Sequence, residues 1–88
     1  MRVEVLNDYQ QRFNGRIYYR NSKGYYQRMT FRMHFLHVDV WEYHNRKVRK
    51  GYDIHHIDQN KDNNQIENLQ CLTRAEHRQL HAKLSLQG

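Results

Sequence analysis

The chain has 88 residues and a formal net charge of +6, which comes from 15 Lys and Arg residues against 9 Asp and Glu residues. This length predicts one small domain, and an apolar content of 38% predicts a modest hydrophobic core. No apolar run approaches the roughly 20 residues that a membrane-spanning helix needs, so we expect no membrane partner. The single cysteine, Cys71, excludes an intramolecular disulfide and any zinc site built on cysteine pairs. We therefore expect a protein of a reducing compartment, the cytoplasm.

The positive charge is concentrated in the first part of the chain. Residues 1–50 carry eleven basic and four acidic side chains, a balance of +7, whereas residues 51–88 carry four and five, a balance of −1. An excess of this kind without an apolar face predicts a polyanionic partner, with nucleic acid ahead of a membrane surface. A solvated basic face that only keeps a small protein in solution is the alternative.

Residues 1–33 form a region in which aromatic and basic residues interleave. Within it, residues 16–20 and 25–31 flank a turn that ends at Gly24, a pattern that predicts a β-hairpin. Residues 34–50 follow. Their apolar positions recur at helical spacing over residues 34–45, which predicts an amphipathic helix, and a basic loop completes the segment.

Residues 51–84 read as strand, loop, strand and helix. Strands are predicted over residues 52–57 and 69–72, and the intervening residues 58–68 are polar and rich in asparagine. The last helix is predicted over residues 74–83 because Thr73 and Glu76 form a capping-box pattern at its start. The expected fold is therefore α+β: one small domain, residues 1–88, with an N-terminal β-hairpin, an amphipathic helix and a C-terminal ββα unit.

Histidines are concentrated in the ββα unit. His55 and His56 are adjacent in a predicted strand, so their side chains point to opposite faces, and one of them can bind a metal while the other accepts a proton. His77 and His81 lie four residues apart on one face of the last helix. If that helix packs across the two strands, His55, His77 and His81 converge as three nitrogen ligands with an open coordination position. The alternative is that the helical pair is a surface or half-buried polar feature.

Two stretches of the chain carry a family resemblance. Residues 36–42 (LHVDVWE) and 51–69 (GYDIHHIDQNKDNNQIENL) contain a His-His pair, an asparagine-rich loop and an Asn-Leu pair, and a histidine-bearing helix follows them. This combination resembles the HNH endonucleases, and most closely their small phage and intron-borne homing type. The resemblance covers roughly residues 34–84, and it implies a ββα-metal site, also called a His-Me finger.

The resemblance implies a role for each polar residue that matches the family's motif. It implies that His55 and His77 bind a metal ion and that His56 is the general base. It implies that Asn68 braces the loop between the two strands and thereby the base. His81 matches a further ligand that only part of the family has.

Phosphodiester hydrolysis fits these residue types. A water molecule must lose a proton, which an imidazole accepts near neutral pH. A divalent ion neutralises the negative charge on the phosphate and on the leaving 3′ oxygen. Imidazole ligands favour Zn²⁺, Mn²⁺ or Ni²⁺ over Mg²⁺, which prefers oxygen ligands. We expect one divalent metal ion, and the sequence leaves its identity open.

Basic residues outside the histidine cluster are candidates for contacts with the phosphates of double-stranded DNA. Four lie in the basic loop and two on the last helix: Arg46, Lys47, Arg49, Lys50, Arg74 and Arg78. For the two helical arginines, a solvated charge is the alternative. We interpret Asn60, Asn63 and Asn64 as turn residues that satisfy the loop backbone, and His37 as structural.

The sequence thus predicts a metal-dependent DNA endonuclease. One alternative is a DNA-binding module of the same fold without cleavage activity. Another is a structural zinc domain that binds a protein partner, which requires a closed tetrahedral site, whereas three well-placed nitrogen ligands are evident. Homodimerisation, a phage protein partner and a role in homing, host-DNA degradation or packaging all stay open. If the protein is phage-encoded, we expect it in the cytoplasm of a bacterial host.

Overall fold

In the computed structural model, which describes residues 1–87 and the side chains of residues 1–83, seven strands and two α-helices form an α+β fold. The first five strands form one antiparallel sheet in chain order, and the last two form a separate two-stranded ribbon. The expected fold class is confirmed. In chain order the elements are β1 (Glu4–Asn7), β2 (Gln10–Phe13), β3 (Arg16–Arg20), β4 (Tyr26–Met29), β5 (Met33–Phe35), α1 (Leu36–His44), β6 (Tyr52–His56), a 3₁₀ turn (Ile66–Asn68), β7 (Leu69–Thr73) and α2 (Arg74–Gln87).

The N-terminal sheet is larger than the predicted hairpin. The hairpin over residues 16–31 is present as β3 and β4, but β1, β2 and β5 extend it on both sides. The turn between β2 and β3 is made by Asn14 and Gly15, whose φ angles of 52° and 75° are both positive. Asn-Gly is the preferred pair for such a two-residue hairpin turn, so this dipeptide was the sequence signal for β2.

Helix α1 begins two residues later than the periodicity predicts. Residues 33–35 belong instead to β5, because Met33, His34 and Phe35 pair with β4 in an antiparallel register. Leu36 and Val40, one helical turn apart, are both fully buried. The helix packs against β4, β5, β6 and the 3₁₀ turn, and it therefore joins the sheet to the ribbon.

One hydrophobic core includes residues from both halves of the chain. Phe13, Tyr18 and Tyr26 from the N-terminal sheet are buried in the same cluster as Ile54 and Leu69 from the ribbon. The Tyr18 hydroxyl donates a hydrogen bond of 2.6 Å to Asp39 on α1. Burial, reinforced by that bond, raises the pKa of Tyr18 to about 12. The ribbon therefore does not fold against α2 alone.

The capping box at the start of α2 is formed as predicted. The backbone N–H of Glu76 donates to the Thr73 hydroxyl at 3.1 Å, and the backbone N–H of Thr73 donates to the Glu76 carboxylate at 3.0 Å. Helix α2 packs against β6 and β7 and extends beyond the predicted residue 83 to Gln87. Neither helix in residues 1–87 has the length and apolar character needed to cross a membrane.

Candidate active site

Two adjacent histidines at the end of β6 face different surroundings. His55 and His56 are both buried, with 6% and 5% of their surface exposed. The His55 ring lies 5.2 Å from that of His77, whereas the His56 ring lies 5.1 Å from that of His37, centroid to centroid. The strand alternation therefore separates the two imidazoles as expected.

His55, His77 and His81 form a cluster in which one candidate ligand atom of each lies within 4.8 Å of the others. The Nε2 atoms of His77 and His81 are 2.9 Å apart, so in this arrangement one ring donates and the other accepts a hydrogen bond. Asp53, on the same face of β6 as His55, places Oδ2 3.7 Å from Nδ1 of His77.

The chemistry of this donor set fits a divalent metal ion. Burial lowers the pKa of His55, and the neighbouring His77 and His81 lower it further. The neutral imidazole that results is the form that binds a metal. Three imidazoles suit a borderline ion such as Zn²⁺, Mn²⁺ or Ni²⁺.

His56 is held by an asparagine of the polar loop. Its Nε2 lies 2.8 Å from Oδ1 of Asn64, while the Asn64 amide nitrogen donates to the backbone carbonyl of Lys61 at 3.0 Å. A carbonyl only accepts, so the Asn64 nitrogen must face Lys61 and its oxygen must face His56. Nε2 of His56 therefore carries a proton, and Nδ1 of the neutral ring keeps the free lone pair.

The same asparagine is tied to the N-terminal sheet. The Asn64 amide nitrogen also donates to the side-chain oxygen of Gln11 on β2 at 3.0 Å, and the Gln11 amide donates to the carbonyl of Asp62 at 2.9 Å. Gln11 and Asn64 are almost fully buried, at 0% and 2% exposure. Asn64 does satisfy the loop backbone, as interpreted from the sequence, through its bond to the Lys61 carbonyl, and it also connects His56 to the sheet. No local pattern in the sequence marks Gln11.

Asn68 occupies the base of the loop between β6 and β7. Its side chain accepts a bond from the backbone N–H of Asp58 and donates to the Asp58 carboxylate and to the carbonyl of Asn63, at 3.1, 2.9 and 2.8 Å. The backbone N–H of Asn60 and the Asn68 amide lower the pKa of Asp58. These bonds close the loop on itself two residues after His56, the last residue of β6.

Two aromatic side chains lie beside His56. His37 on α1 and Tyr25 lie 5.1 and 6.3 Å from it, centroid to centroid. Burial, with the nearby His56 as a second cause, lowers the pKa of His37 to about 3. His37 is therefore a neutral neighbour of His56. The two residues are 19 positions apart in sequence, and no local pattern indicates that they are in contact.

The six predicted DNA-contacting residues are all exposed, but they divide among three places. Lys47, Arg49, Lys50 and Arg74 line one recess together with Arg32, which the sequence did not single out. Arg46 lines a neighbouring recess beside Trp41 and Cys71, to which Lys47 and Arg49 also contribute. Arg78 is exposed on α2 directly after His77.

Comparison with known proteins gives one family match and one relative. The family model described as "HNH endonuclease" matches residues 34–79, just over half of the chain. The "Uncharacterized gene 5.3 protein" of Enterobacteria phage T3 is 35% identical over an alignment that covers 66% of this chain. The aligned part spans 64% of that phage protein's length. No solved structure matches the chain.

Proposed function

Because the chain belongs to the HNH endonuclease family, we propose that it is a metal-dependent DNA endonuclease that hydrolyses phosphodiester bonds. The observation that carries this proposal is that two adjacent histidines have different surroundings. His55 belongs to the cluster of three imidazoles, whereas His56 lies outside that cluster, lines the same recess and has its Nε2 proton engaged by Asn64. A hydrolytic site needs both a metal-binding group and a separate proton acceptor.

In this proposal His55, His77 and His81 hold one divalent ion. When bound, such an ion supplies positive charge that neutralises the scissile phosphate and the leaving oxygen. His56 accepts the proton of the attacking water at Nδ1, because Nε2 already carries a proton that Asn64 holds. Asp53, 3.7 Å from Nδ1 of His77, favours the tautomer that leaves the other nitrogen of His77 for the ion.

In this proposal the basic surface binds the DNA substrate. The recess lined by Lys47, Arg49, Lys50, Arg74 and Arg32 suits the phosphates of a DNA strand. The matched relative is a phage protein, so we place the activity in the cytoplasm of a bacterial host. A partner beyond DNA, whether a second copy or a phage protein, is left open.

The decisive experiment compares His56→Ala with His77→Ala. Supercoiled plasmid is incubated with each protein, with Mn²⁺ or Mg²⁺ or with EDTA, and metal binding is measured by calorimetric titration. We expect metal-dependent nicking or linearisation by the wild-type protein. His56→Ala should keep metal and DNA binding while cleavage falls by about 10²–10⁴-fold, the usual contribution of a positioned base. His77→Ala should weaken metal binding itself.

Three outcomes contradict the proposal in different ways. DNA binding without cleavage under any of the metals favours a binding module of the same fold. If His56→Ala abolishes metal binding while His55→Ala leaves it intact, the two roles are reversed. Tight metal binding together with no DNA binding favours a structural zinc domain.

A further inference from the structure

A groove leads from the three-histidine cluster to the basic recess; we call it the aromatic groove. It has a volume of about 400 Å³, and its lining includes Tyr25, Phe35, His37, Tyr52 and His77. At one end, Tyr25 and His77 also line the recess of His55, His56 and His81. At the other end, Phe35 and Tyr52 also line the recess of the basic residues. The candidate cleavage site and the basic surface are thus parts of one continuous depression.

Two aromatic rings of this groove are accessible. Phe35 at the end of β5 is 36% exposed, and Tyr52 at the start of β6 is 43% exposed. Tyr25 differs, because the Lys61 ammonium lies over its ring, 4.3 Å from the centroid. Phe35 and Tyr25 both pack beside His37, at 5.8 and 5.4 Å, but Phe35 keeps an accessible surface. Phe35 and Tyr52 are therefore the rings with surface left for another planar group.

The charge of the adjoining recess is positive. Five basic side chains of the described residues line it, together with the carboxylates of Asp39 and Glu42. Both carboxylates are engaged within the protein: Asp39 accepts the Tyr18 hydroxyl at 2.6 Å, and Glu42 accepts the backbone N–H of Val48 at 2.7 Å. Because five basic side chains face two acidic ones, the recess keeps an excess of positive charge, to which a polyphosphate backbone is complementary.

Resting on the proposed function, we propose that the aromatic groove binds an unpaired segment of the DNA strand next to the cleaved phosphate. A paired duplex keeps its base faces stacked inside, so it offers flat rings nothing to stack on. Unpaired bases stack on aromatic side chains, and a basic groove holds the backbone that links them. The preferred substrate class is therefore DNA with a single-stranded segment, such as gapped, branched or locally opened duplex.

The test measures binding separately from cleavage. The full chain is titrated in EDTA, at one salt concentration, against a labelled single-stranded oligonucleotide, a gapped duplex, the fully paired duplex and an RNA of the same sequence. A 2-aminopurine base in the single-stranded part reports stacking by fluorescence quenching. We expect the single-stranded and gapped DNA to bind more tightly than the paired duplex, with quenching on binding.

Variants identify the rings responsible. Phe35→Leu with Tyr52→Leu should weaken single-strand binding by about 10-fold or more and remove the quenching, since each stacked base typically contributes a factor of roughly 5 or more. Binding of paired duplex should change little. The matched control is Tyr9→Leu with Tyr19→Leu, two exposed tyrosines on the N-terminal sheet, 62% and 53% accessible, which should leave both affinities unchanged. If the groove double variant does not fold, Tyr52→Leu alone serves the same comparison.

Several results overturn this inference. These are equal affinity for paired and single-stranded DNA, wild-type single-strand affinity in the groove variant, an equal loss in the control variant, and tighter binding of the RNA. None of these results contradicts the endonuclease proposal, which depends on cleavage and on His56. Conversely, if the protein shows the expected stacking but cuts none of these DNAs with any metal, the groove inference stands and the endonuclease proposal is wrong.

Discussion

At the scale of single residues, Asn64 is the group that fixes the proton on His56. Asn64→Ala removes the acceptor for Nε2 and leaves the Gln11 side chain without its donor. We predict that kcat falls by about 10–100-fold, the usual loss when a residue that orients a functional histidine is removed, while KM stays near the wild-type value. Steady-state cleavage of a plasmid measures both constants.

Asn64→Asp separates the two functions of this side chain. A carboxylate still accepts from His56 but no longer donates to Gln11 or to the Lys61 carbonyl. This variant should therefore keep a higher kcat than Asn64→Ala although both unfold at lower urea concentration. Equal kcat values for the two variants contradict a positioning role.

Asn68 stabilises the loop between β6 and β7, because its side chain bonds Asp58 and Asn63 of that loop. Asn68→Ala removes three hydrogen bonds of the Asn68 side chain, two with Asp58 and one with Asn63. We expect a loss of about 1–3 kcal/mol in the free energy of unfolding because three partly buried hydrogen bonds are lost. Amide exchange over residues 58–68 should accelerate and cleavage should drop, with metal binding retained.

The control for that variant is Asn60→Ala. Asn60 is exposed, and its side chain accepts one bond from the backbone N–H of Asp62. Its loss should cost less stability than that of Asn68 and leave cleavage near wild type. Full activity in Asn68→Ala shows that the role implied by the family resemblance does not hold here.

At the scale of elements, the loop between α1 and β6 carries the densest positive charge. Replacing Arg46, Lys47, Arg49 and Lys50 by Gln should flatten the plot of log affinity for duplex DNA against log salt by up to about 3–4, because each lost phosphate contact removes roughly 0.9 from the slope. Anisotropy titrations in EDTA at several salt concentrations measure the slope.

A pair of double variants makes this test specific to the loop. Arg49→Gln with Lys50→Gln should reduce the slope. Arg2→Gln with Arg12→Gln removes the same formal charge from two arginines that are paired with Glu67 and Glu4, at 2.8 and 3.3 Å. Equal changes in both double variants indicate an effect of overall charge rather than of the loop.

At the scale of the whole molecule, His37 links stability to pH. Its pKa of about 3 in the fold lies well below the ordinary value of 6.5, so below pH 6.5 the unfolded chain binds a proton that the folded protein does not. The contribution of His37 to the free energy of unfolding is therefore unchanged above pH 6.5, and the protein loses stability as the pH falls from 6.5 toward 3. We expect this residue to account for a decrease of about 3 kcal/mol in unfolding free energy between pH 7 and pH 4.

His37→Phe isolates that contribution. Phenylalanine keeps a ring beside Tyr25, Phe35 and His56 but has no proton to bind. Urea unfolding at pH 7, 5.5 and 4 should show a shallower loss of stability in the variant than in the wild-type protein. Parallel curves mean that His37 is not the group responsible.

The local features of the site were determined by residues close together in sequence. The capping box follows from Thr73 and Glu76 three positions apart, and the helical pair from His77 and His81 four positions apart. The separation of His55 from His56 follows from the alternation of side chains along a strand. The HNH family resemblance, confirmed by the match over residues 34–79, rests on the same local patterns.

The tertiary structure alone decided what surrounds His56. Gln11 reaches Asn64 across 53 positions, and His37 reaches His56 across 19, because α1 packs between the five-stranded sheet and the ribbon. Phe35 and Tyr52 meet in one groove for the same reason. Such contacts depend on strand register and on helix packing, which local periodicity does not encode. Periodicity records which face of an element is apolar, but not which distant side chain is placed against it.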